Sequence, residues 1–304
     1  MKNSFFSDLF SSENKFFKLA QNAKRLPHIL ISSIFPIFFI FIGSLVYYLL
    51  IILAKASGEV VFSPLIKDLV ELTFLFAFII LAVYLWVKLV ERRPFYTIGL
   101  TKEKALKRYL FGFGTGILMI SAVVGLMAVF GNAQIEQSKN TITGIPAIGW
   151  VLLILFGFII QGGAEEITTR GWQFQVIGVK YKPWIGALIS SVFFAVLHGF
   201  NNSVTVLAIF NLFLFALLLV FYVINDGSIW SACGWHSAWN WAMGNLYGLE
   251  VSGTNVNASI FNFKITGHDI ITGGGFGPEG SIFTTLVLST GILMIVTYIY
   301  RKNN

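Results

Sequence analysis

The sequence predicts an all-α fold, a polytopic membrane helical bundle of about eight transmembrane helices. Of its 304 residues, 56% are hydrophobic and only 12% are charged, whereas a soluble domain carries about a quarter charged residues. The mean hydropathy is +0.77, and apolar runs of the ~20 residues needed to cross a bilayer recur along the chain. This composition excludes a water-soluble globular enzyme, a disordered chain and a fibrous protein.

Each predicted span is an apolar run bounded by polar or charged residues. The spans cover residues 28–54, 66–90, 106–131, 146–168, 183–200, 204–224, 228–249 and 281–300. Residues 1–27 are polar and Lys-bearing and lack an apolar run of their own, which predicts a cytoplasmic segment and no cleavable signal peptide. Residues 28–304 are predicted to form a single transmembrane domain, in which the stretch 250–280 is an external loop.

Positively charged residues predict how the bundle is oriented. The chain has 21 Lys and Arg against 14 Asp and Glu, a net charge of +7, and its connections alternate between rich and poor in Lys and Arg. Because cytoplasmic connections are the rich ones, both termini are predicted to be cytoplasmic. The positive charge therefore indicates membrane topology in a lipid bilayer, and no nucleic-acid partner is predicted.

Two glycines predict a helix-packing face, and the cysteine content limits the kinds of site that the chain can form. Gly112 and Gly116 form a GxxxG pattern in the third span, which predicts close helix packing. The single cysteine, Cys233, excludes an internal disulfide and a cysteine-based zinc site, and its apolar surroundings are typical of an inert thiol. No GxSxG nucleophile elbow is present.

Three groups of polar residues lie inside predicted spans, where ionisable side chains are costly and are therefore functional candidates. They are Glu165-Glu166-Ile-Thr-Thr-Arg170, Phe194-Ala-Val-Leu-His198 and His236-Ser-Ala-Trp-Asn240. Glu166 and Arg170, at i and i+4, can form an ion pair on one helix face. Glu165 lies ~100° around the same helix, so that it can face a cavity while Glu166 supports it.

Helical rise predicts that the three groups lie at compatible depths. Lys180 and Lys182 mark a hairpin between the fourth and fifth spans. Glu165 and His198 then lie ~22–24 Å from that hairpin, provided that the fourth helix does not break at Gly162-Gly163, and His236 lies ~14 Å from the start of its span. The three groups are predicted to meet in one inward-facing cavity.

A carboxylate, two imidazoles and an amide can together hydrolyse an amide bond. Glu165 would be the general base for a water, His198 would hold the same water, and His236 and Asn240 would donate hydrogen bonds to the oxyanion. Alternatively, Glu165, His198 and His236 could bind Zn²⁺ with an open fourth position. The HExxH motif is absent, so a zinc site would be assembled from separate helices, and the residues leave both mechanisms open.

In this order, the patterns EExxxR, FxxxH and HxxxN resemble those of the CPBP intramembrane proteases. These are the CAAX prenyl endopeptidase type II family and its Abi-type, bacteriocin-processing relatives. The resemblance covers about residues 145–249, the predicted protease core, and implies eight helices around a membrane cavity. The family is commonly called metal-dependent, and a metal-free glutamate mechanism has also been argued for it.

The resemblance also implies a role for each matching residue. It implies a catalytic glutamate at Glu165, a water-binding partner at His198 and oxyanion donors at His236 and Asn240. The supporting residues it implies are the ion pair Glu166 and Arg170 and a cavity wall at Phe194.

The function implied is that of an intramembrane endopeptidase acting on a membrane-associated peptide or protein, in CAAX-type or leader/bacteriocin-type processing. One alternative is a non-enzymatic bacteriocin-immunity or scaffold protein of the same fold. Binding alone would not need the intact Glu/His/Asn set, which disfavours this alternative. A transporter or channel is disfavoured because no inverted repeat is visible. Substrate choice could reside in the first 100 residues and in the 250–280 loop.

Overall fold

Eight helices make up most of the described chain and confirm the predicted all-α class. The structure is a computed structural model that describes residues 9–56, 58, 62–136 and 141–303. The helices are α1 (Ile29–Ala56), α2 (Pro64–Val90), α3 (Ala105–Val129), α4 (Ile145–Lys180), α5 (Pro183–Leu197), α6 (Val206–Asp226), α7 (Trp230–Trp241, continued by a π-helical turn at Ala242–Leu246) and α8 (Ile282–Asn303).

Seven of these helices within the described residues are long and apolar enough to cross a membrane, against the eight predicted. The exception is α7, which has 12 α-helical residues followed by a five-residue π-turn. Every residue of α7 from Ser231 to Asn245 is buried. Because neighbouring helices surround it instead of lipid, α7 can be short and can carry polar side chains.

Helix α7 packs closely on α3 through the predicted glycine pattern. A Cβ atom added to Gly112 would lie 2.0 Å from the Ser231 carbonyl oxygen, and one added to Gly116 would lie 2.5 Å from the Trp235 carbonyl oxygen. A Cβ atom on Gly114, between them, would meet nothing within 4 Å. The prediction of a packing face at Gly112 and Gly116 is confirmed.

Helix α4 runs past the predicted end at residue 168. It does not break at Gly162-Gly163, and a π-helical stretch at Ile167–Phe174 leads into a final α-helical segment, Gln175–Lys180. Gly162 lies against α7, where an added Cβ atom would be 2.8 Å from the Ser237 nitrogen. The condition on which the depth prediction rested is therefore met.

Two surfaces of the bundle, called here the basic face and the loop face, hold different connections between the helices. The basic face holds the N-terminal segment, the α2–α3, α4–α5 and α6–α7 connections and the C-terminal end of α8. The loop face holds the other connections. Its α3–α4 connection contains β1 (Ala133–Ile135) and β2 (Ile142–Thr143), and its α7–α8 connection contains β3 (Ala258–Ser259) and β4 (Phe263–Ile265).

The predicted external loop 250–280 is an ordered part of the loop face. Strand β4 pairs antiparallel with β1, and β3 pairs parallel with β2. The Asn257 side chain also donates a 2.6 Å hydrogen bond to Asp68 of α2. These contacts join the loop to the start of α2 and to the α3–α4 connection.

The N-terminal segment, described from residue 9, is docked on the basic face. A short helix, Lys15–Lys18, buries Phe16 and Phe17, whose rings lie 5.6 and 5.2 Å from the Phe174 ring of α4. The Lys15 ammonium pairs with Glu103 and holds the pKa of that carboxyl below its ordinary value. The predicted polar segment thus contains an aromatic anchor, while residues 1–8 lie outside the described chain.

Candidate active site

Glu166 and Arg170 form the predicted ion pair in the interior of the bundle. Both side chains are fully buried, and Arg170 Nη1 donates a 3.0 Å hydrogen bond to Glu166 Oε1. The same carboxylate oxygen lies 2.8 Å from Nδ1 of His236 on α7. Glu166 therefore joins the charged pair on α4 to the imidazole on α7.

Phe194 of α5 covers this pair on the cavity side. The Arg170 guanidinium carbon lies 4.6 Å from the Phe194 ring centroid, a distance at which a cation is attracted to the aromatic face. The Phe194 ring also lies 4.5 Å from the His198 ring and 5.9 Å from the His236 ring. Phe194 is thus a wall that separates the buried charges from the cavity and positions both imidazoles.

Glu165, the neighbouring carboxylate, faces the cavity. Its side chain is 22% exposed, and its Oε2 lies 3.7 Å from His236 Nε2. Oε1 accepts a 2.5 Å hydrogen bond from Gln161 Nε2, whereas Oε2 has no hydrogen-bond partner. One oxygen is therefore held by Gln161, whereas the other is buried without a hydrogen-bond partner.

Gln161 is a site residue that sequence reasoning missed. It stands four residues before Glu165 on α4, and its Oε1 accepts a 3.1 Å hydrogen bond from Asn240 Nδ2. A chain of hydrogen bonds thus runs from Asn240 through Gln161 to Glu165. The sequence signal for Gln161 is a single amide side chain, four residues before the candidate base Glu165, within an otherwise apolar run.

Hydrogen bonding indicates which nitrogen of each imidazole carries hydrogen. A carboxylate only accepts, so His236 Nδ1 donates to Glu166 and leaves Nε2 directed at Glu165. His198 Nδ1 lies 2.8 Å from the Phe194 carbonyl oxygen and donates to it. In neutral His198, Nε2 is then an acceptor, as a residue that holds a water requires.

Five of the seven predicted residues line one cavity of about 630 Å³. They are Glu165, Phe194, His198, His236 and Asn240, with Glu166 and Arg170 directly behind them. The volume lies within the range of small-molecule and peptide pockets. The structure thus brings together residues from α4, the end of α5 and α7, as the depth prediction required.

The cavity extends toward the loop face, whereas the predicted inward-facing direction stays a prediction. Beyond Glu165, its lining continues to Lys67 at the start of α2 and to the α7–α8 connection at Ser252 and Asn255. Distances counted from the α4–α5 hairpin predicted that the three groups could share one cavity, and they do. The distances did not reveal which end of the cavity the surrounding helices close.

The candidate zinc ligands do not come together as a metal site. Across the part of the chain that the structure describes, no three His, Cys, Asp or Glu side chains are placed to hold one ion. Glu165 and His236 are neighbours, but a zinc site needs at least three protein ligands around one point. Glu165, His198 and His236, as arranged, do not fit Zn²⁺.

Comparisons with known proteins agree with the three motifs. Residues 147–242 match a family model described as type II CAAX prenyl endopeptidase Rce1-like. The chain is also 30% identical over 188 residues to a protein of Bacillus subtilis (strain 168) named Uncharacterized protein YyaK, covering 60% of this chain and 62% of that protein. The chain thus matches less than two thirds of that relative's length. All seven predicted site residues lie in the region, residues 147–242, that is similar to the family model.

Proposed function

We propose that this protein is an intramembrane endopeptidase that hydrolyses a peptide bond of a membrane-associated peptide or protein. The observation that carries the proposal is that Glu165, whose Oε2 has no hydrogen-bond partner, lines the same cavity as His198, His236 and Asn240. Segments of the CAAX type and of the leader or bacteriocin type are the substrate classes that the family resemblance suggests.

The first step requires a base beside a water. The Glu165 carboxylate takes one proton from the water, and His198 Nε2 accepts a hydrogen bond from the hydrogen that stays on the water oxygen. That oxygen bonds to the carbonyl carbon of the substrate, and the carbonyl oxygen becomes the oxyanion. The carboxylate is positioned for this step because Gln161 donates a hydrogen bond to its Oε1.

The second requirement is stabilisation of the oxyanion. Asn240 Nδ2 has two hydrogens, of which one is donated to Gln161, so the other can be donated to the oxyanion. His236 can donate from Nε2 when it is an imidazolium, since its Nδ1 already donates to Glu166. The carbon–nitrogen bond then breaks, and Glu165 returns the proton to the leaving amine.

The decisive experiment compares membranes from host cells that carry wild-type protein or Glu165→Gln. Loss of a general base lowers the rate about 10²–10⁴-fold, so a precursor peptide should accumulate only in the variant, as measured by mass spectrometry. Glu136→Gln, at an exposed ion pair on the loop face, is the control. Both variants must be present at the wild-type level.

Full processing by Glu165→Gln would contradict the proposal. If Glu165→Gln and His198→Ala both preserve the cellular phenotype, the chain is a non-enzymatic immunity or scaffold protein. Substrate flux in proteoliposomes would instead favour a transporter or channel.

A further inference from the structure

We propose that the cavity opens on the non-cytoplasmic side of the membrane and takes a peptide segment presented from that side. The inference deepens the proposed endopeptidase function, on which its substrate half rests. The statement about the side on which the cavity opens rests only on the structure and on the distribution of charge.

The cavity is closed on its basic-face side. Following Glu165, every residue of α4 from Glu166 to Gly178 is buried. Trp172 and Phe174 are among the largest fully buried side chains and pack on α1 and on the N-terminal segment. A peptide arriving from the basic face would meet this packed layer before it reached Glu165.

The opposite end of the cavity has an exposed rim. Phe200, two residues after His198, is 87% exposed, and Lys67, Thr254 and Asn255 are also exposed. All four line the cavity. The opening therefore lies at the loop face, between the start of α2, the end of α5 and the α7–α8 connection.

Charge distinguishes the two faces in the folded structure. The basic face carries Lys15, Lys18, Lys24, Arg25, Lys88, Arg92, Arg93, Lys102, Lys104, Lys107, Arg108, Lys180, Lys182, Arg301 and Lys302. Among the described residues, the loop face carries Lys55, Lys67 and Lys264, and Lys2 and Lys139 lie outside the described chain. Because Lys and Arg next to membrane helices remain in the cytoplasm, the open end of the cavity points away from it.

The lining indicates the chemistry of the peptide. One wall is apolar and is made of Leu72, Leu75, Phe76, Ile79, Ile154 and Phe158. Apolar side chains next to the cleaved bond would be removed from water against this wall, while the polar rim suits solvated chain beyond it. The substrate class is thus an apolar peptide segment at the outer surface of the membrane.

The first test reads topology without any proteolysis. Asn255→Cys at the rim and Lys102→Cys on the basic face are expressed as full chains in cells stripped of their wall and treated with a membrane-impermeant maleimide. Wild type is the background control, since its one cysteine, Cys233, is buried. We expect Asn255→Cys to react to the same extent before and after permeabilisation, and Lys102→Cys only after it. The reverse pattern would overturn the inference.

The second test connects the opening to activity. A bulky impermeant maleimide on Asn255→Cys should lower processing in intact cells to the level of Glu165→Gln. If labelled Asn255→Cys still processes its substrate in a Glu165-dependent manner, the inference fails and the proposed function stands. If Glu165→Gln is fully active, the proposed function fails, whereas the labelling pattern still decides the topology.

Discussion

At the scale of single residues, two adjacent glutamates have different environments. Glu166 is fully buried and its Oε1 is shared by Arg170 and His236, whereas the Glu165 side chain is partly exposed and lines the cavity. Isolated buried charge is costly, so Glu166 is retained as half of a pair. Glu165, which lines the cavity and makes no ion pair with Arg170, is the carboxylate placed to react with a ligand.

We expect Gln161→Leu to lower the cleavage rate about tenfold to a hundredfold, because a hydrogen bond to a charged group contributes about 1.5–3 kcal/mol. The amide acts by positioning Glu165, so kcat should fall while KM changes little. Steady-state kinetics on a model peptide would measure both constants. Phe156→Leu, on the exposed side of the same helix, is the matched control, and equal losses in the two variants would contradict this role.

Arg170→Met should destabilise the protein by about 3–5 kcal/mol, since it leaves the Glu166 carboxylate buried without a cation. The double variant Glu166→Met/Arg170→Met should recover much of this loss, because an apolar pair of similar volume often replaces a buried ion pair at little cost. It should remain inactive, since His236 loses the partner of its Nδ1. Thermal unfolding in detergent, with cleavage assayed in parallel, would check both points, and a double variant as unstable as Arg170→Met would refute the pairing argument.

At the scale of elements, α7 explains how polar chemistry is kept inside the bundle. It lies between α3 and α4, and all its residues from Ser231 to Asn245 are buried. Its His236 and Asn240 therefore face protein groups and the cavity instead of lipid. The close approach of α3 depends on the absence of side chains at Gly112 and Gly116.

Gly112→Ala should destabilise the protein, because overpacking a close contact costs about 1–3 kcal/mol and the obstructing atom here is the backbone oxygen of Ser231. Gly114→Ala is a matched control on the same helix, since its Cβ atom would meet nothing within 4 Å. That variant should be neutral or stabilised by up to about 1 kcal/mol, as alanine favours helix over glycine. Unfolding midpoints of the two variants would be compared, and equal midpoints would exclude the packing face.

At the scale of the whole molecule, a buried polar cluster at the basic face joins segments far apart in sequence. Glu91 accepts hydrogen bonds from Arg93 at 2.6 Å and from the Trp86 and Trp172 indoles at 3.1 and 2.6 Å. Arg93 in turn donates a 2.6 Å bond to Gln175 of α4. The cluster secures the packed layer that closes the cavity on this face.

Glu91→Ala should destabilise the protein by about 3–5 kcal/mol, because it leaves the Arg93 cation buried without a counterion. Glu103→Gln, which breaks the exposed contact with Lys15, is the control and should leave the unfolding midpoint unchanged. Thermal unfolding of both variants in the same detergent would measure the difference. A stable Glu91→Ala protein would show that the packed layer does not depend on this cluster.

The part of the site that could be predicted from sequence is the part encoded by local spacing. Glu166 and Arg170 are four residues apart on one helix, so their pairing follows from helical geometry. The contribution of Gln161 could have been suspected from its spacing to Glu165, but not its bond to Asn240 of α7. That bond depends on how closely Gly162 allows α4 to approach α7.

The sequence by itself determined the membrane class, the approximate location of seven of the eight predicted spans and the three polar motifs, because composition and periodicity act within single segments. Tertiary structure alone decided that α7 is a short central helix, that the N-terminal segment docks through Phe16 and Phe17, and that the cavity extends toward the loop face. Each of these outcomes depends on which side chains from distant segments fill the same space. Packing between helices is not encoded in the hydropathy of any one of them.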